Sequence, residues 1–380
     1  MKKITTILLI LSLLLFSFCS IYFWGYFTHS RKIFPYKIIS NEYKVLQKSN
    51  KKKELNFSIL KRTKPYDLIK VNETNYDSLK TFLNEKVFGR KDLSNKLPDT
   101  VYNITNENYN SEIINNIQVL NINLDSEFNS VVYRFQPNTP NNKVLIYHQG
   151  HSGGFILGKK TIEHFVKKGF VVYALTMPLI GLNTKKRTLN SVNLPYRKNI
   201  VFKETGGLHT QMKFLNNPIS YFIEPVIRTL NYISETDKLT DISMVGISGG
   251  GWTTCMTTAI DNRITRAFDV AGSYPIYIRM LTDNSWGDFE QNYPPIFKHI
   301  DYLDLYVMGC SNQRKYFQIL NKYDPCCFQN ALGIYYQSDV SRKIKELNFG
   351  DYNLFMDTLN KEHSIGNMSL DYIEKQISID

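Results

Sequence analysis

The run Ile242-Ser243-Met244-Val245-Gly246-Ile247-Ser248-Gly249-Gly250-Gly251-Trp252 holds the residues best spaced for covalent chemistry. An apolar hexapeptide leads into a Gly-x-Ser-x-Gly turn, and a helix-compatible stretch, Trp252–Ile260, follows at once. A serine on a sharp strand-to-helix turn presents its hydroxyl clear of the backbone. Glycines two residues before and after it keep side chains out of the turn. The helix that starts there aims its amides and positive dipole end at the same place, which suits an anion forming on a substrate carbonyl. This pattern points to Ser248 as a nucleophile. A serine hydroxyl attacks poorly unaided and needs a base. Downstream of Ser248 the chain has two histidines, His299 and His363. A glycine-rich phosphate loop is the competing reading of the same run.

The elements around this run alternate. Ile117–Leu124 and Val131–Phe135, separated by the polar Asp125-Ser126-Glu127, read as a hairpin. Strands are then expected at Val144–His148, Phe170–Thr176, Ile242–Ile247, Arg266–Ala271, Tyr316–Asn321 and Tyr352–Asp357. Helices are expected at Thr161–Lys168, closed by Gly169, at Ile219–Ile233 with Pro225 inside it, at Trp252–Ile260 and at Ser369–Ile379. Strands separated by helices imply a largely parallel sheet with helices on both faces. Residues 178–217 interrupt the alternation with a long polar stretch, read as a lid-like insertion. Tyrosine is abundant, 25 residues, so hydroxyl partners are expected inside the fold.

Residues 115–380 resemble the α/β-hydrolase family. Gly246-Ile247-Ser248-Gly249-Gly250 matches its nucleophile elbow, and Val144-Leu145-Ile146-Tyr147-His148-Gln149-Gly150-His151 resembles the strand and loop that supply its oxyanion hole. The Gly-Gly-Gly-Trp after the serine is similar to the dienelactone-hydrolase and acetyl-esterase branches. The family's chain order is nucleophile, acid, base. That order implies Asp324, in Asn321-Lys322-Tyr323-Asp324-Pro325 after a late strand, as the acid, with Asp301, Asp304 and Asp339 as rivals. It implies His363, in the loop before the last helix, as the base. The oxyanion would be held by backbone amides of Gly249 and of His151, which follows Gly150. Here the loop reads Gln149-Gly150-His151-Ser152-Gly153-Gly154 rather than His-Gly-Gly-Gly, which leaves the second donor open.

Other residues have plainer readings. His148 and His151 could suggest metal ligands, but no carboxylate cluster accompanies them, so neither metal nor cofactor is expected. His209 reads as structural, with a place in the pocket wall as the alternative, and Trp252 as core packing. The five cysteines, at 19, 255, 310, 326 and 327, show no zinc-site spacing. They read as small buried residues, with a bridge from Cys310 to Cys326 or Cys327 as the alternative.

The charge is uneven. Residues 1–100 hold 19 Lys+Arg against 8 Asp+Glu, and the other 280 hold 27 against 26. The basic part follows an uncharged apolar run, residues 4–27, long enough to cross a bilayer core of about 30 Å. Its far end, Tyr22-Phe23-Trp24-Gly25-Tyr26-Phe27, suits a membrane interface and lacks a small-residue cleavage site. A single-span membrane anchor over residues 1–30 is expected in preference to a cleaved signal. A basic stalk or extension, 31–112, then faces anionic lipid, and a catalytic domain covers 113–380. Positive charge flanks both ends of the span, so the positive-inside rule gives no preferred side. No nucleic-acid motif is present.

The function implied is hydrolysis of a carboxylic ester by a Ser-Asp-His triad through an acyl-enzyme. A peptidase or an acyltransferase of the same fold shares that chemistry. A non-catalytic binding module on the fold is the reading from a different class.

Overall fold

The computed structural model describes Ser20 and residues 57–378, apart from 126–127, 185–190, 195–196, 202–207, 282–286 and 327. The expected span over 4–27 lies outside the described residues, as does the basic segment up to residue 56. Among the described residues no helix is long and apolar enough to cross a membrane.

The strands are β1 (Thr100–Ile104), β2 (Ile114–Asn123), β3 (Asn129–Pro137), β4 (Val144–Gln149), β5 (Val171–Thr176), β6 (Ser191–Leu194), β7 (Arg197–Val201), β8 (Ile242–Ile247), β9 (Arg266–Val270), β10 (Lys315–Asn321) and β11 (Asp351–Asp357). Nine of them form one sheet in the order β1-β2-β3-β5-β4-β8-β9-β10-β11. β1, β2 and β3 run antiparallel, and β3 meets β5 antiparallel. From β5 onward every pairing is parallel. The hairpin and all six later strands therefore stand where the hydrophobic pattern places them. Every residue of β4, β5 and β8 is buried, which requires cover on both faces and explains their unbroken apolar sequences. Because β4, β8, β10 and β11 are parallel, the loops carrying Gly150, Ser248, Asp324 and His363 all leave the sheet at one edge. Parallel sheets hold their ligands outside that edge.

The helices follow the same logic. Lys159–Lys167 buries Thr161, Ile162, Phe165 and Val166 along one face. It ends at Gly169, whose φ of +89° lets the chain turn into β5. Ser220–Tyr232 runs through Pro225 without ending there. Tyr221, Phe222, Ile223, Val226, Ile227 and Leu230 are all buried, and that packing outweighs the missing backbone hydrogen bond.

Tyrosine hydroxyls meet inside the fold at Gln318 of β10. Tyr336 and Tyr352 both donate to its Oε1, at 2.7 and 2.6 Å, and its Nε2 donates to Ser273 O at 2.8 Å. Tyr316 donates to the buried Asp269 at 3.0 Å. These hydrogen bonds tie β10 to its neighbours behind the loop that carries Asp324.

Three expectations change. The compact unit begins at Phe57, not at residue 113, because the 57–112 segment packs on the sheet unit. A helix over Tyr76–Phe88 buries Leu83, Val87 and Phe88. Asp304 accepts the amides of Lys70 and Val71 at 2.6 and 2.9 Å, and Arg228 donates to Leu97 O and Asn123 O, each at 2.9 Å, and to Asp99 at 2.8 Å. The 178–217 insertion is not all loop. It holds the antiparallel pair β6–β7 and two short 3-10 turns, Gly181–Thr184 and Leu208–Phe214. Finally, Cys310 is buried and gives its Sγ to Asp351 O at 3.2 Å. Cys310 and Cys326 lie beyond opposite ends of the seven-residue β10, roughly 20 Å of strand, too far for a bridge. Cys327 lies outside the described residues.

Arg228→Ala strands two carbonyls and the Asp99 carboxylate in a site where Arg228 is buried. The expected loss is about 2–3 kcal/mol, read as a lowered melting temperature of the full chain.

Candidate active site

Ser248 sits where β8 turns into the helix Gly249–Ile260, with φ 58° and ψ −123°. A non-glycine residue in that region carries strain of about 1–3 kcal/mol, and it persists only where the surroundings enforce it. Here Ser248 donates its amide to Val270 O at 2.9 Å and accepts at its carbonyl from Trp252 N at 3.0 Å. The neighbouring backbones leave no room for side chains. A Cβ on Gly246 would lie 2.0 Å from Gly250 O, and one on Gly250 would lie 2.0 Å from His148 O. A Cβ on Gly150 would lie 2.6 Å from Ile247 O and 2.7 Å from Ser248 Cβ. The loop after β4 is thus pressed directly onto the turn that carries Ser248. Trp252 is fully buried against Phe222, as core packing predicts.

Asp324 and His363 meet. Asp324 is buried, and its two oxygens have separate tasks. Oδ1 accepts Cys326 N at 2.7 Å, and Oδ2 accepts from His363 Nδ1 at 2.7 Å. With the proton on Nδ1, the lone pair of the neutral ring is on Nε2. That Nε2 is buried and has no hydrogen-bond partner, Ser248 included. In serine enzymes without substrate this contact is commonly long and tightens in the reacting complex. Burial alone would lower the His363 pKa, but the hydrogen bond and charge of Asp324 outweigh it and hold the ring above the usual histidine value of 6.5.

The rival acids have structural work. Asp301 caps the helix Tyr302–Gly309 in a reciprocal box with Asp304. Asp339 pairs with Arg342. Two residues not singled out from sequence shape the His363 loop instead. Asn321 Nδ2 donates to Ser364 O at 2.9 Å and to Glu362 O at 3.3 Å, one on each side of His363. Buried Asp357 accepts Leu359 N, Asn360 N and Ser369 Oγ at 3.0, 2.8 and 2.7 Å. Each stands at the last position of a parallel strand, a signal that sequence alone carries.

A polar cavity of about 610 Å³ opens beside His363, lined among others by Gln149, Ser152, Lys160, Asn360 and Ile247. It reaches the histidine side of the site, and Ser248 is not in its wall.

His148 and His151 part company. His148 is fully buried, and desolvation pushes it down to about 4 despite its contact with Gln149 O. His151 meets the carboxylates that no local stretch of sequence had supplied. Its Nε2 lies 2.9 Å from Glu290 Oε1 and 3.0 Å from Asp288 Oδ2. His209, fully buried, brings Nδ1 to 3.5 Å from the same Glu290 oxygen. Burial would raise the Glu290 pKa, but His151 and His209 outweigh it and hold the carboxyl at about 2. The His151 ring also covers the nucleophile helix: a Cβ on Gly249 would lie 2.5 Å from its Cε1.

No family model matches the chain, and no curated protein matches it in sequence. Solved structures do match. Methylesterase BT1017 aligns at TM-score 0.57 with 12% identity over 81% of this chain, which spans 65% of that protein, just under two thirds. An acetyl xylan esterase from Paenibacillus sp. R4 aligns at TM-score 0.53 with 13% identity, over 82% of this chain and 97% of that one. Acetyl xylan esterase 1 from Thermoanaerobacterium sp. JW/SL YS485 aligns at 0.53 with 11% identity, over 82% and 96%. At these identities the likeness is one of fold, and the fold is that of the α/β-hydrolases.

Two outcomes follow from the site geometry. Asp324→Asn removes the charge that holds His363 up, so its imidazole should titrate at lower pH by NMR. In the wild type, the stability this pair contributes is fully present below 6.5 and lost as pH rises through the elevated folded value. Gly150→Ala drives a methyl group into Ile247 O and should lower stability by about 1–3 kcal/mol, seen in thermal melts.

Proposed function

We propose that the chain hydrolyses a carboxylic ester through an acyl-enzyme on Ser248. The observation that carries this is the Asp324–His363 pair at 2.7 Å, with its unpartnered Nε2 at the sheet edge that also holds the strained Ser248. His363 Nε2 takes the Ser248 proton as Oγ attacks the ester carbonyl, and Asp324 stabilises the imidazolium. The amides of Gly249 and His151 face the developing oxyanion; one such donor contributes on the order of 10²–10³ in rate. The imidazolium then protonates the leaving alkoxide. Water, deprotonated by His363, attacks the acyl-enzyme and releases the acid and free Ser248.

The solved structures that share the fold bear the names of esterases, which agrees with ester chemistry. In the same reading, residues 4–27 hold the enzyme at a membrane by a single span, and the basic segment after them faces anionic head groups.

A fluorophosphonate probe should label the full-length chain, and Ser248→Ala and His363→Ala should both abolish labelling. Each should lower short-chain ester hydrolysis by at least about 10⁴-fold. Because the base acts neutral, kcat/KM should rise with pH through an inflection above 6.5 and fall away on the acid side. A folded wild-type chain that takes no label would instead support a binding module.

A further inference from the structure

We infer that His151, His209, Asp288 and Glu290 form a binding site for one divalent transition-metal ion of the zinc type. Their ligand atoms all lie within 4.8 Å of one another. They come from three separate segments: the loop after β4, the 3-10 turn Leu208–Phe214 of the insertion, and the turn at 288–292.

The orientation of His209 carries the argument. Its Nε2 lies 2.9 Å from Pro178 O, and a carbonyl only accepts, so Nε2 carries the proton. With Nε2 so occupied, it is Nδ1 that points toward Glu290 Oε1, at 3.5 Å, and the neutral form of the ring carries its lone pair there. In that form a lone pair faces a carboxylate oxygen. Both side chains are wholly buried, and neither His209 Nδ1 nor Glu290 Oε2 has a hydrogen-bond partner. Burying such groups without compensation is costly. A cation held among the four side chains gives Nδ1 a partner and neutralises the carboxylate. The carbonyl behind His209 is the support that a metal-bound imidazole ordinarily has on its far nitrogen.

The spacing and the donor set suit zinc. Tetrahedral ligands about 2.0–2.1 Å from zinc stand about 3.3 Å from one another. Three of the contacts here are 2.9, 3.0 and 3.5 Å and no pair exceeds 4.8 Å, so side-chain rotations admit the ion. Two imidazoles with two carboxylates favour zinc and its neighbours over calcium or magnesium, which take oxygen ligands. The two carboxylates balance the charge of a divalent ion. His151 and Asp288 are partly exposed, which gives the ion a way in from solvent.

The ion would act on the site through position. His151 supplies a proposed oxyanion amide, and its ring lies against Gly249. Fixing that ring fixes the loop against the nucleophile helix and ties the insertion to both. Metal binding does not depend on the hydrolase reading; only its effect on turnover does.

The test measures zinc content of the full-length chain as purified and after chelation, then titrates the chelated protein with ZnCl2 by calorimetry and thermal melting. The expected result is one zinc per chain and a melting temperature raised by on the order of 5 °C on reloading. Magnesium and calcium should give neither heat nor shift. Asp288→Asn should weaken zinc binding at least about tenfold while the metal-free protein melts as the wild type does. His209→Ala should lose the bound equivalent. Absence of both heat and shift with 1 mM ZnCl2 overturns the proposal, as does unchanged affinity in Asp288→Asn. Fluorophosphonate labelling of Ser248 is scored separately, so failure of the zinc site and failure of the hydrolase reading are distinguishable.

Discussion

The backbone of β8 turns into its helix at Ser248 within a space that admits no side chains, and much of the site is arranged by that crowding. Gly246 meets Gly250 O, Gly250 meets His148 O, and Gly150 meets both Ile247 O and Ser248 Cβ. On the far side, Cβ atoms at Gly251 and Gly272 would fall 2.5 and 2.3 Å from Asp269 Oδ1. Five glycines thus let the chain segments after β4, β8 and β9 touch through their backbones. That closeness holds Ser248 in its strained conformation and sets Gly150 against it. Buried Asp269, pushed up to about 6 by desolvation against the hydrogen bonds of Ser273 and Tyr316, sits directly behind this junction.

Opposite Ser248, rigidity comes from hydrogen bonds rather than close packing. Asp324 and His363 stand on loops, which are the mobile parts of most folds. Here each loop is held by the strand end before it. Asn321 closes β10 and grips the carbonyls on either side of His363. Asp357 closes β11 and gathers the amides that begin the same loop. Behind them Gln318 binds two tyrosines and Ser273, so the parallel pair β10–β11 forms a stiff base for the Asp324–His363 pair.

The insertion and the 288–292 turn form the third wall, and their contribution is electrostatic. Glu290 is wholly buried yet ionised, which requires compensating positive charge close by. His151 and His209 converge on it from different segments. The wall therefore connects the insertion to the loop that touches Ser248.

Much of this was legible in the sequence because it is local. Short, mostly apolar runs marked β4, β5, β8 and β10. The Gly-Ile-Ser-Gly-Gly turn marked Ser248, since few backbones need glycine at those spacings. Resemblance to a family order then pointed to Asp324 and His363, and they meet at 2.7 Å. What sequence did not reveal depends on convergence. Asp288 and Glu290 lie more than a hundred residues from His151, and no periodicity links them. Only the folded chain brings one turn against another. The docking of residues 57–112 was hidden for the same reason: their basic, weakly patterned sequence reads as solvated, while the carbonyls and Asp99 that Arg228 binds are supplied by tertiary contact. Local pattern determines which residues can form a strand, a turn or a nucleophile. Tertiary structure decides which charges share a buried space, because that depends on the path of the whole chain.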